Sequence, residues 1–172
     1  MVCRDGQPYD LRMEQSSINV RQPTQPLPPW LRNAKDLLQV REFAGTKHHP
    51  QIIAWLKDVG IKGAMLADET AWCAACANGV LKSAGIPGTG NAMARSFLGW
   101  GVPLLVPRLG CVAVYSRVTN PPNPAAGHVA FWIADFGDDD LIWGGNQGNA
   151  CSFALRPRDT NLGYRWPSRL SP

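Results

Sequence analysis

The sequence predicts an α+β protein in which helices come first and an antiparallel sheet follows, and three observations carry that expectation. Residues 29–98 contain segments with apolar side chains at helical spacing. Residues 111–155 contain four short runs rich in β-branched and aromatic residues, with turn formers such as GDDD (137–140) between them. With 172 residues, 45% hydrophobic and 17% charged, the chain is long enough to bury one core without a disulfide framework.

The elements follow in order. Residues 14–29 (EQSSINVRQPTQPLPP) form a polar, proline-containing tract that resists regular structure, so residues 1–28 are expected to be a leader or linker and 29–172 a single domain. From Pro29 onward Trp30, Leu31, Ala34, Leu37, Leu38 and Arg41 follow helical spacing. A second helix is expected over residues 50–59, with Ile52, Ile53, Trp55, Leu56 and Val59 apolar and Gly60 as its stop. In DETAWCAACANGVLKSAG, Thr70 can cap a helix over residues 71–83 that ends at Gly85 and Pro87. Only Lys82 is charged within it, which predicts burial on most sides. A shorter helical stretch over 92–98 leads into GWGVPLLVP, expected to be a loop because of its prolines. Strands are expected at 111–115, 128–134, 141–143 and 151–155.

The chemistry concentrates at the third helix. A cysteine in a first helical turn sits among unpaired N–H groups at the positive end of the dipole, which favours a thiolate and can also stabilise an oxyanion. Cys73 occupies that position. A thiol nucleophile needs a base, and the histidines are His48, His49 and His128. His128 opens an expected strand, where alternation places it on one face with Ala130, Trp132 and Ala134. His48 and His49 precede Pro50 as loop residues. The imidazole needs a polar partner for its second nitrogen, and Asn146, in LIWGGNQGN, is well placed beyond the following strand. Gln147, Asn149 and Asp135 compete for that role.

Taken in order, DETAWCAAC, GHVAFW and LIWGGNQGN resemble the CHAP amidase/peptidase family and the related NlpC-type cell-wall peptidases, especially those of phage and prophage lysins. The resemblance spans residues 29–157. It implies a papain-like fold, with the nucleophile helix packed on an antiparallel sheet, and hydrolysis of an amide bond in peptidoglycan. It also implies Cys73 as nucleophile, His128 as base and Asn146 as the orienting residue, with no cofactor and no metal. Departures are Cys76, where a bulky apolar residue is expected, and Trp72 and Ala74 flanking the nucleophile.

Other readings weigh against this one. Cys76, Cys111 and Cys151 suit small core residues. Cys73-x-x-Cys76 at a helix start is also the dithiol arrangement of thioredoxin-like proteins, although that fold wants a parallel βαβ unit. A zinc site is poorly served, because His48 and His49 are adjacent and far upstream. A third alternative is a non-catalytic wall-binding module of phage or effector type. The formal charge of +4 is spread along the chain, without the basic and aromatic clustering expected for nucleic acid. No apolar run reaches the ~18 residues of a membrane span. Residues 1–10 carry Arg4, Asp5 and Asp10 and lack a signal-peptide core. Synthesis in the cytoplasm, and delivery to the wall by a holin, a secretion apparatus or lysis, are therefore expected.

Overall fold

The computed structural model describes residues 26–168; the expected leader up to residue 25, and Cys3 within it, lie outside. The described chain is a mixed α+β structure in which short helices precede a six-stranded antiparallel sheet ordered β1-β6-β2-β3-β4-β5. The strands are β1 (Val102–Leu104), β2 (Val112–Ser116), β3 (Gly127–Phe136), β4 (Asp139–Gly144), β5 (Ser152–Pro157) and β6 (Asn161–Trp166). None of the described helices is long and apolar enough to cross a membrane.

Two of the three long helical expectations are met. In α2 (Pro50–Asp58), proline stands in the first turn and His49 caps the helix by accepting from the Gln51 N–H. In α3 (Cys73–Ser83), eight of eleven residues are buried. Its small side chains let other elements approach closely. A Cβ on Gly79 would collide with the Trp55 indole of α2, so glycine sets that approach. The helix expected from Trp30 to Arg41 breaks instead into a 3-10 turn (Pro29–Leu31) and a single turn of α1 (Ala34–Leu37). The reason is tertiary: Val40 accepts from the Cys151 N–H and Arg41 bridges Ala150, so the chain leaves the helix to extend beside the sheet.

The sheet is larger than its sequence pattern. β1 lies in the segment expected to be a loop, and Pro103 is tolerated because β1 is an edge strand paired only with β6. β6 was not among the expected strands, although Leu162, Tyr164 and Trp166 alternate with Asn161, Gly163 and Arg165. At the start of β3 both faces of the strand are covered: His128, Val129, Ala130 and Phe131 are all buried. A register shift near Trp132 then alters which residues face each side.

One buried carboxylate ties four strands. Asp140, fully buried on β4, accepts from Tyr115 Oη (2.9 Å), Trp132 Nε1 (3.0 Å), Arg158 Nε (3.1 Å) and Tyr164 Oη. Burial alone would raise its pKa; these four donors outweigh that and hold it below the ordinary value. β2, β3 and β6 are thereby fixed against β4.

Candidate active site

Cys73 is the first residue of α3, and His128 is the second residue of β3. The helix begins one step later than expected: Trp72 occupies the cap position, while the Thr70 hydroxyl donates to Met65 O instead of capping. Trp72 is fully buried, stacked on Trp55 at 6.1 Å between ring centroids, and its Nε1 donates to Glu42 Oε1 at 2.8 Å. A rigid aromatic anchor therefore immediately precedes the cysteine. The first α-helical backbone bond runs from Cys76 N to Trp72 O, which leaves the N–H groups of Cys73, Ala74 and Ala75 without partners inside the helix.

The Cys73 sulfur lies near the opening of β3, where the backbone N–H dipole of Val129 favours its thiolate form. Arg117, just past β2, bears electrostatically on both Cys73 and His128. The two side chains are 7% and 4% exposed, so access to them is narrow. A cavity of about 470 Å³ lies elsewhere, at the C-terminal end of α3, lined by Ile86, Pro87 and Trp100 among others.

The imidazole is oriented by a network whose proton positions can be deduced. The Gln147 side-chain amide nitrogen donates to Ser152 O and Gly144 O. Its Oε1 therefore faces the ring, 3.1 Å from His128 Nε2. An amide oxygen only accepts, so Nε2 carries the proton and Nδ1 keeps the lone pair of a base. Ser152 Oγ donates back to Gln147 O, closing the turn. The residue holding the imidazole is thus Gln147, not Asn146. Asn146 instead takes the left-handed conformation of the turn, with φ 56°. Asn149 does the same at φ 61°, and Asp135 is engaged by Arg158 at 3.0 Å. No hydrogen bond joins Cys73 and His128 in this arrangement.

The electrostatics differ from the expected activated thiolate. Burial pushes the Cys73 thiol above its ordinary value, against the lowering effect of the Val129 and Ala74 N–H groups and of Arg117. Burial, with help from Arg156 and Arg117 and opposed by Gln147, pulls His128 down to about 4. The helix end is present, but desolvation outweighs it, so near neutral pH the pair rests as thiol and neutral imidazole.

A supporting contact centres on Asp68, which the sequence did not single out. Fully buried Asp68 accepts from the backbone N–H of Phe43 (2.9 Å) and His49 (2.8 Å), and lies 3.0 Å from His48 Nδ1. Burial would raise its pKa, but these bonds hold it at about 2. His48, Asp68 and Glu69 place three ligand-capable atoms within 4.8 Å of one another. Asp68 Oδ2 accepts both backbone donors and Oδ1 faces His48 Nδ1, so the group clamps the 43–49 loop to the segment leading into Cys73. Within the Cys73–Cys76 spacing, Cys76 Sγ lies against Cys151 Sγ at 3.8 Å.

No protein-family model and no curated protein sequence matches this chain.

Proposed function

We propose that the protein is a cysteine hydrolase that cleaves an amide bond of cell-wall peptide, on a papain-like arrangement of nucleophile helix and sheet. The observation that carries this reading is the Gln147–His128 contact, which sets Nδ1 as a free base at the strand opening beside Cys73.

The reaction follows from the resting state. Because the thiol is protonated, His128 Nδ1 takes its proton as the sulfur attacks the carbonyl, a general-base step like that of a serine hydrolase. Bonds between nucleophile and base are often long in substrate-free sites and tighten on binding. The N–H groups at the start of α3, which lack partners inside the helix, stabilise the oxyanion. The imidazolium then protonates the departing amine, leaving a Cys73 thioester. Water, deprotonated by Nδ1, releases the acid and restores the thiol.

Wall peptide is the substrate class favoured by the sequence resemblance and by charge. Arg117 and Arg156 both bear on His128, and peptidoglycan stem peptides carry carboxylates near their amide bonds. Incubation of purified peptidoglycan with wild type and Cys73→Ala, followed by mass spectrometry of released fragments, tests the assignment. New peptide termini with wild type alone are expected. Wall binding without any fragments from wild type would identify a binding module and overturn the proposal.

A further inference from the structure

Two thiols that take no part in hydrolysis face each other in the core. Cys76 lies one turn beyond Cys73 on α3, and Cys151 stands immediately before β5; their sulfurs are 3.8 Å apart. They are 0% and 1% exposed, and 75 residues separate them in the chain. Around them the packing is firm. Gly145 presses on Cys76 so closely that a Cβ there would fall 2.5 Å from the cysteine Cβ, and the Cys151 N–H is held by Val40 O. Closing the sulfurs to bonding distance needs about 1.8 Å.

We propose that Cys76 and Cys151 are a disulfide-forming pair, closed when the chain folds under oxidising conditions, and that the bond staples α3 to the turn carrying Gln147. The link to the turn is direct. Ser152, next to Cys151, holds the Gln147 amide through its carbonyl and the Gln147 carbonyl through its hydroxyl. The chemistry is thiol–disulfide exchange with a disulfide-form oxidant. One cysteine thiolate attacks the oxidant's disulfide and displaces its first thiol. The other thiolate attacks the mixed disulfide and displaces the second. The protein dithiol loses two electrons, the oxidant gains them, and the dithiol's two protons end on the two thiols the oxidant becomes. In the folded, reduced protein Cys151 and burial hold the Cys76 thiol protonated, which makes folding, when both sulfurs are accessible, the moment of closure.

The proposal is independent of the hydrolase reading, and its test uses no activity. Reduced, denatured full-length protein, both wild type and Cys73→Ala, is refolded in a glutathione redox buffer, alkylated, digested with trypsin and mapped by mass spectrometry. Cys73→Ala removes the other thiol from the peptide spanning 63–82, so a cross-link from that peptide to 118–158 is unambiguous. The expected product is that single cross-link, two hydrogens lighter than its parts. It should come with a rise in melting temperature of about 10 °C over the reduced protein, the gain expected from closing a loop of this length. Cys76→Ala and Cys151→Ala should lose the redox dependence of melting. Should either fail to fold, the peptide map of Cys73→Ala decides alone. Two alkylated thiols after oxidative refolding, or cross-links scattered among the cysteines, would overturn the proposal.

Discussion

Replacing Gln147 tests the imidazole network more sharply than any other change. In Gln147→Ala the His128 Nε2–H loses its 3.1 Å acceptor and remains buried. Ser152 O and Gly144 O lose their donor as well. An unsatisfied buried donor costs about 2 kcal/mol. If that loss falls on the oriented state required for attack, kcat/KM should drop about 30-fold. Gln147→Glu makes the discriminating companion. A carboxylate beside the ring favours imidazolium and opposes the burial that now holds His128 at about 4, so the acid limb of kcat/KM should move up by about one to three pH units. Asn146→Ala is the contrast: placing alanine at φ 56° costs about 1 kcal/mol of stability but should leave the acid limb in place. The assay is the pH profile of amide cleavage on a soluble wall-peptide fragment. An unmoved acid limb in Gln147→Glu, together with a moved one in an Asn146 variant, would refute the assignment of the orienting residue.

Three further outcomes follow from the same contacts. His128 binds its proton near pH 4 when folded and near its ordinary 6.5 when unfolded, so the unfolded chain holds more protons between those values. Stability from this group is therefore complete above about pH 6.5 and lost as pH falls to about 4, about 3 kcal/mol in all; urea titrations should show it in wild type and not in His128→Gln. Gly145→Ala drives a Cβ into Trp72 and Cys76, so it should lower stability by about 1–3 kcal/mol and activity with it, seen as a shifted denaturation midpoint and a reduced cleavage rate. Asp140→Ala strands four donors around an empty position and should cost about 3–5 kcal/mol by chemical denaturation, far more than a typical surface change.

The parts legible in the sequence were those set by local signals. Pro50 and the Ile52–Trp55–Leu56 spacing mark α2, and the alanine-rich run after Trp72 marks α3. The parts that were not legible depend on distant partners. The segment after Leu37 leaves its helix because the 149–151 backbone supplies hydrogen bonds, and no spacing rule contains that information. β1 and β6 pair with each other across more than fifty residues, under a proline and a glycine that locally argue against strands. At the site, the cysteine's place at a helix start and the histidine's place on a strand were readable. The choice between Asn146 and Gln147 was not, since adjacent amides in GGNQ differ only in which one the turn points inward. The raised Cys73 pKa was hidden for a related reason: helix-end activation is a local feature, whereas the desolvation opposing it comes from the whole core.

Catalysis by Cys73 through a thioester is the central claim, and rapid quenching in acid during turnover of a soluble wall-peptide fragment tests it most directly. The account predicts a protein mass increased by the acyl portion of the substrate, with the adduct mapped to Cys73 and missing from Cys73→Ala. Continued amide cleavage by Cys73→Ala at the wild-type rate, with no acylated cysteine at any time point, would contradict it.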